Sequence, residues 1–193
     1  MIAEQLVTMF CNGTAYSFER ASEHSSSWFG GPSEHRFTGV PVGSRPLHKL
    51  VHLAQEVIRQ LGTPHRAFSL PLLYGLNFSG CEVRYRVKVT GWIEILELDP
   101  PESSEDFPYP NYPPILPYAP LRASGSRRCA YREFAEDIPN MANEQPAELI
   151  VAVPPPATLG FSMWGPDDDA GMVTVVFECD LGERAVRAYN RCD

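Results

Sequence analysis

Cys81-Glu82-Val83-Arg84-Tyr85-Arg86-Val87-Lys88-Val89 decides the fold class. Val83, Tyr85, Val87 and Val89 alternate with Glu82, Arg84, Arg86 and Lys88, the two-residue period of a strand with one face buried and one face in water. Thr90-Gly91 offers a turn, and Trp92 to Leu98 continues with Ile93 and Ile95, so a hairpin is expected across it. Working towards the C-terminus, Glu148 to Val153, Leu159 to Trp164, Met172 to Cys179 and Ala185 to Tyr189 read as a meander of short strands. Pro154-Pro155-Pro156, the stretch 165–171 and Leu181-Gly182 supply its turns.

Towards the N-terminus, Leu6 to Phe10 and Ala15 to Arg20 flank Asn12-Gly13, a turn dipeptide between two short elements. Ala21 to Pro46 is rich in Ser, Gly and Pro and reads as an irregular loop, with Trp28, Phe29 and Phe37 as its anchors into the core. Leu47, Leu50, Val51, Ala54, Val57, Ile58 and Leu61 recur at helical spacing, with Pro46 suited to the first turn and Gly62 and Pro64 to the stop. The spacing predicts one amphipathic helix over about 46–61. A second, short helix is expected from Cys129 to Ile138. The expected architecture is a single α+β domain, 1–193, made mainly of antiparallel sheet, with that helix and long Pro-rich loops.

The composition, 44% hydrophobic and 21% charged, is that of a chain that folds. Its net charge of −8 argues against nucleic acid or an anionic membrane as partner, since both would repel it. The charge is also sorted along the chain. Glu94, Glu97, Asp99, Glu102, Glu105 and Asp106 form one acidic stretch; Arg122, Arg127, Arg128 and Arg132 follow; then 133–183 contains no Lys or Arg. Such sorting serves solubility and internal ion pairing, or else an acidic docking face for a basic protein. The start of the chain lacks the pattern of a secretory signal, and no run is apolar for long enough to span a membrane. A cytoplasmic location is expected. Five cysteines, widely spaced and without C-x-x-C, suggest neither a disulfide framework nor a zinc site.

His48 and His52 would stand one helical turn apart, with Glu56 a turn further on, but the H-E-x-x-H arrangement lacks its glutamate. They mark either a solvated helix face or a metal or pH-sensing site. Asp167, Asp168 and Asp169 lack the spacing of a calcium loop and fit an exposed hairpin tip. Ser79-Gly80-Cys81 has no histidine partner to make a nucleophile of it, and no phosphate-binding glycine loop is present. No catalytic residue, metal ligand or cofactor is nominated. The run from Phe107 to Tyr118 alternates proline with aromatic residues, including Tyr109, Tyr112 and Tyr118. It either offers a rigid extended contact to a partner or packs its rings on the domain's own sheet.

Trp28-Phe29-Gly30-Gly31-Pro32, Gly39-Val40-Pro41 and Arg45-Pro46-Leu47-His48-Lys49-Leu50-Val51-His52-Leu53 resemble the opening of the YwqG-like bacterial domain family. The resemblance covers the first third of the chain and implies an intracellular α+β domain, with some relatives serving as immunity partners of bacterial toxins. It carries no catalytic residues over. The expected function is therefore a non-enzymatic protein-binding module, most concretely an immunity-type inhibitor that occludes a toxin. Its basic partner would meet Glu102, Asp106, Asp167, Asp168 and Asp169 beside Tyr109, Tyr112 and Tyr118. The alternative is a metal-dependent or small-molecule enzyme built on His48 and His52.

Overall fold

A computed structural model of the chain describes residues 4–42, 47–61, 68–76, 82–99, 115–138, 141, 147–156, 159 and 173–192. Among these, strands account for 57% and helix for 9%, which overturns the α+β expectation: the chain is mainly β. Twelve strands form one sheet in the order β4-β8-β7-β12-β11-β10-β1-β2-β9-β3-β5-β6. They are β1 (Gln5–Cys11), β2 (Thr14–Arg20), β3 (Trp28–Gly31), β4 (Phe37–Gly39), β5 (His48–Leu53), β6 (Leu70–Tyr74), β7 (Glu82–Val87), β8 (Ile93–Asp99), β9 (Leu116–Arg128), β10 (Leu149–Val153), β11 (Val173–Asp180) and β12 (Ala185–Cys192). Two short helices, α1 (Gln55–Gln60) and α2 (Tyr131–Ala135), complete the described elements.

The expected hairpins form for the reasons their sequences give. Asn12 and Gly13 both take positive φ, +51° and +72°, which a two-residue turn between right-twisted strands demands. β7 pairs antiparallel with β8, and β10, β11 and β12 form the expected antiparallel meander. Of the strand expected from Leu159 to Trp164, only Leu159 lies within the described residues, and Cys81 also lies outside them.

The helix expected over about 46–61 does not form. His48 to Leu53 is a strand between β3 and β6, and only Gln55–Gln60 is helical, with Ile58 as its buried residue. Five of the six β5 side chains are buried. Its apolar residues do not alternate because a bulge makes Leu50 an extra residue beside Val51, and so short a pattern fits helical spacing equally well. The loop expected over 21–46 likewise contains β3 and β4.

The sheet folds over on itself, so that its terminal strand β6 lies against β7 and β12. Tyr85 of β7 ties the layers: its hydroxyl donates to the Pro71 carbonyl (2.8 Å) and accepts from the Leu73 N–H (2.9 Å). The two edge groups of β6 are thus satisfied in a buried place where water could not serve them. Between the layers sits the main core, where Val7, Met9, Val83, Tyr85, Val151, Phe177 and Ala188 meet Phe29, Leu50, Leu53, Leu72 and Leu73. A second cluster lies on the opposite face of β1, β10, β11 and β12, where α2 lays Phe134 and Ala135 over Phe10, Ile150, Ala152, Val176 and Tyr189. Phe10 and Phe134 stack with ring centroids 5.3 Å apart.

Candidate binding surface

β3 and β5 carry both the core and a surface on alternate residues. Phe29 pairs with Val51 and points into the core; Trp28 pairs with His52 and points out. Two irregularities shape what gathers around Trp28. On β5, Lys49 opposes Leu73 and Val51 opposes Leu72, so Leu50 is an extra residue. This bulge brings Lys49 to the side of His52, and both meet the Trp28 ring. On β9, two residues, Pro117 and Tyr118, oppose Gly30 alone. Gly30 and Gly31 take φ of +65° and +74°, and a Cβ on Gly30 would lie 2.1 Å from the Pro117 carbonyl oxygen. Only glycine allows the two backbones so close. The approach brings the Tyr118 ring within 6.2 Å of Trp28, across Gly31.

The result is a strip of rings with one buried cation. His52 lies parallel to Trp28, centroids 4.0 Å apart at 12°. Lys49, only 6% exposed, places Nζ 5.0 Å from the Trp28 ring centroid and donates to the Pro32 carbonyl. Burial is the main cause lowering the Lys49 pKa, opposed by the Glu34 charge. Burial, then the charges of Lys49 and His35, push His52 down to about 4, so it is neutral at pH 7. His35, itself lowered chiefly by burial, has Nδ1 3.4 Å from the Gly91 carbonyl oxygen in the β7–β8 turn. Next to it the Arg36 guanidinium covers Trp92 at 5.6 Å. Trp92 and Tyr118 are 42% and 45% exposed, and Val89 and Ile115 are exposed as well. Exposed large apolar side chains gathered in this way mark an interaction surface more than isolated ones do.

A second region carries charge. On the outer face of β7, β8 and β12, Arg84 pairs with Glu97 (3.2 Å), Arg86 and Lys88 with Glu94 (3.5 and 2.5 Å), and Arg187 with Glu82 (2.7 Å) and Glu178 (3.5 Å). The Glu178 carboxylate also accepts from the Tyr189 hydroxyl, whose pKa is raised, first by burial. Glu82, Arg84, Arg86, Glu97, Glu178 and Arg187 border an open concavity of about 840 Å³.

Among the sequence-nominated contact residues, Tyr118 belongs to the strip; Tyr109, Tyr112, Glu102, Asp106, Asp167, Asp168 and Asp169 lie outside the described residues. Glu94 and Glu97 of the acidic stretch are spent on ladder pairs. The helical spacing that would have joined His48 and His52 is absent: on the bulged strand His48 is buried and lies on the face opposite Lys49 and His52. Among the described residues, no group of three or more His, Cys, Asp or Glu is placed to hold a metal ion, and no helix is long and apolar enough to cross a membrane. Cys11, Cys129 and Cys179 are unbridged thiols, and burial raises the pKa of both Cys11 and Cys179. Sequence reasoning missed Trp28 as a surface ring, along with Lys49, His35 and Trp92; the paired glycines after Trp28-Phe29 were the available signal. Comparison of the chain with protein-family models, with curated proteins and with solved structures finds no match.

Proposed function

We propose that this chain is a non-enzymatic protein-binding module, most concretely an immunity-type inhibitor that occludes a bacterial toxin. The observation that carries the reading is the pair of part-exposed rings Trp28 and Tyr118, 6.2 Å apart and held in place by backbone bulges and glycines. Large rings that are fixed before binding lose little freedom on contact, and aromatic anchors tend to carry most of an interface's energy. The net charge of −8 would favour a basic partner at long range, although Glu94 and Glu97 are paired within the chain.

The test is co-expression with the product of the adjacent reading frame, scored by growth and by complex formation on gel filtration. Relief of a growth arrest by the wild-type chain, lost in the double variant Trp28→Ala with Tyr118→Ala, is the expected result. Relief that survives the double variant would remove the strip from the function, and the absence of any complex would remove the toxin-inhibitor reading.

A further inference from the structure

We propose that Lys49, framed by Trp28 and His52, is a carboxylate-binding subsite, and that the partner places an acidic group there with an adjoining apolar side chain on Tyr118. The proposal rests on the protein-binding reading and adds the chemistry of the contacting residue. It starts from a contrast in how cations are satisfied. Arg84, Arg86, Lys88 and Arg187 are part-exposed and each has a carboxylate within 4 Å. Lys49 is the buried cation among the described residues, and its partners are a main-chain carbonyl and a ring face. Glu34 acts on it electrostatically without forming an ion pair.

An ammonium carries three donors, and here one goes to Pro32. The indole face attracts the charge but cannot neutralise it. Holding an ammonium out of water without a counter-ion is costly, and an incoming carboxylate relieves that while gaining a charge-assisted hydrogen bond. His52, neutral at pH 7, adds no competing charge and a possible second polar contact. The ammonium lies 5.0 Å from the centroid of a half-buried ring. A carboxylate fits better than a phosphate. The subsite offers one ammonium and flat aromatic walls, whereas phosphate sites usually present an arginine fork or several converging backbone N–H groups. Tyr118, 6.2 Å from Trp28, supplies the apolar shelf beside it.

The experiment is an NMR titration of the isotope-labelled protein at pH 7, following the Trp28 indole N–H, the His52 ring and the Lys49 side chain. The probes are N-acetyl-aspartyl-phenylalaninamide for a side-chain carboxylate and N-acetylphenylalanine for a terminal one. The asparaginyl analogue of the first probe and inorganic phosphate are the controls. At least one acid probe should shift these signals saturably, at least tenfold more tightly than the asparaginyl analogue or phosphate; whichever acid binds better names the source. Lys49→Met should abolish that preference while keeping a wild-type amide spectrum elsewhere. Equal binding of acid and amide, equal binding of phosphate, no response to either acid, or an undiminished preference in Lys49→Met would each overturn the subsite. None of these results touches the effect of Trp28→Ala with Tyr118→Ala on complex formation, so the broader reading stands or falls separately.

Discussion

The outer face of β7, β8 and β12 and the outer face of β3, β5 and β9 solve the same problem, a charged side chain on a strand, in opposite ways. On the first, guanidinium and carboxylate alternate across neighbouring strands and answer each other within a few ångströms in open solvent. Each such pair is worth little, about 0–1 kcal/mol, and the lattice mainly keeps the surface wet and the register in place. On the second, a lysine is drawn under a tryptophan with no counter-ion and a histidine is held neutral. Groups perturbed in this way concentrate at functional sites in proteins generally, which fits the binding role proposed for this face.

The sharpest way to break the comparison is to attack the backbone that shapes the aromatic face. Gly30→Ala forces a Cβ to within 2.1 Å of the Pro117 carbonyl oxygen at φ +65°, with backbone on both sides and nothing soft to yield. A loss of about 3 kcal/mol or more is expected in urea unfolding. Gly91 in the charged hairpin also has positive φ, +81°, but its Cβ would meet open space; Gly91→Ala should cost only about 1 kcal/mol. Similar losses for the two would mean that β3 and β9 do not approach so closely, and that Tyr118 does not belong beside Trp28.

The two faces differ just as much in how far the sequence disclosed them. Glu82 to Val87 is half in water, so its period of two is visible. Where burial covers both faces, as along β6, or a bulge interrupts the ladder, as at Leu50 of β5, the alternation disappears, and His48 to Leu53 passes for part of a helix. β9 begins Leu116-Pro117-Tyr118-Ala119-Pro120, and prolines ordinarily argue against a strand between two neighbours. Pro117 is accommodated because it sits in the bulge opposite Gly30, a pairing between residues nearly ninety positions apart that no local pattern can announce. The candidate site fell in this less legible half. Of its rings, the sequence nominated Tyr118 as a contact and sent Trp28 to the core.

The next expected effect is a pH dependence confined to the aromatic face. His52 is faced by Lys49, His35 and the Trp28 ring, and its folded pKa of about 4 lies below the ordinary 6.5. Between those values the unfolded chain binds more protons, so stability is full above about pH 6.5 and falls as pH drops towards 4. The loss from this group is at most about 2 kcal/mol at pH 5. His35, lowered by the same burial, acts in the same direction. Urea unfolding at pH 7 and pH 5 should show His52→Gln losing less than wild type over that interval; an identical loss would place His52 in water and dissolve the stack on Trp28.

The smallest effect is the most diagnostic, because the comparison requires it to change sign between the faces. Arg187→Met removes a bidentate pair with Glu82, a longer contact to Glu178 and cover over the Tyr189 ring at 4.9 Å, all on a side chain 44% exposed. Solvent screening limits the loss to about 0.5–1 kcal/mol. The Glu82 carboxyl, held below its usual range mainly by the Arg187 hydrogen bond, should titrate higher in the variant, which NMR can follow directly. Lys49→Met also removes a cation but replaces it with an apolar chain of similar reach in a buried place. Lost are the hydrogen bond to Pro32, worth about 1 kcal/mol, and the ring contact, of similar size. Relief of the unpaired ammonium's desolvation, typically several kcal/mol, outweighs both. A gain of about 1 kcal/mol is therefore expected beside a loss of similar size at Arg187, both read from urea midpoints at pH 7. If Lys49→Met instead destabilises the fold by more than Arg187→Met does, the lysine is a structural residue in its own right, and the two faces differ only in their decoration.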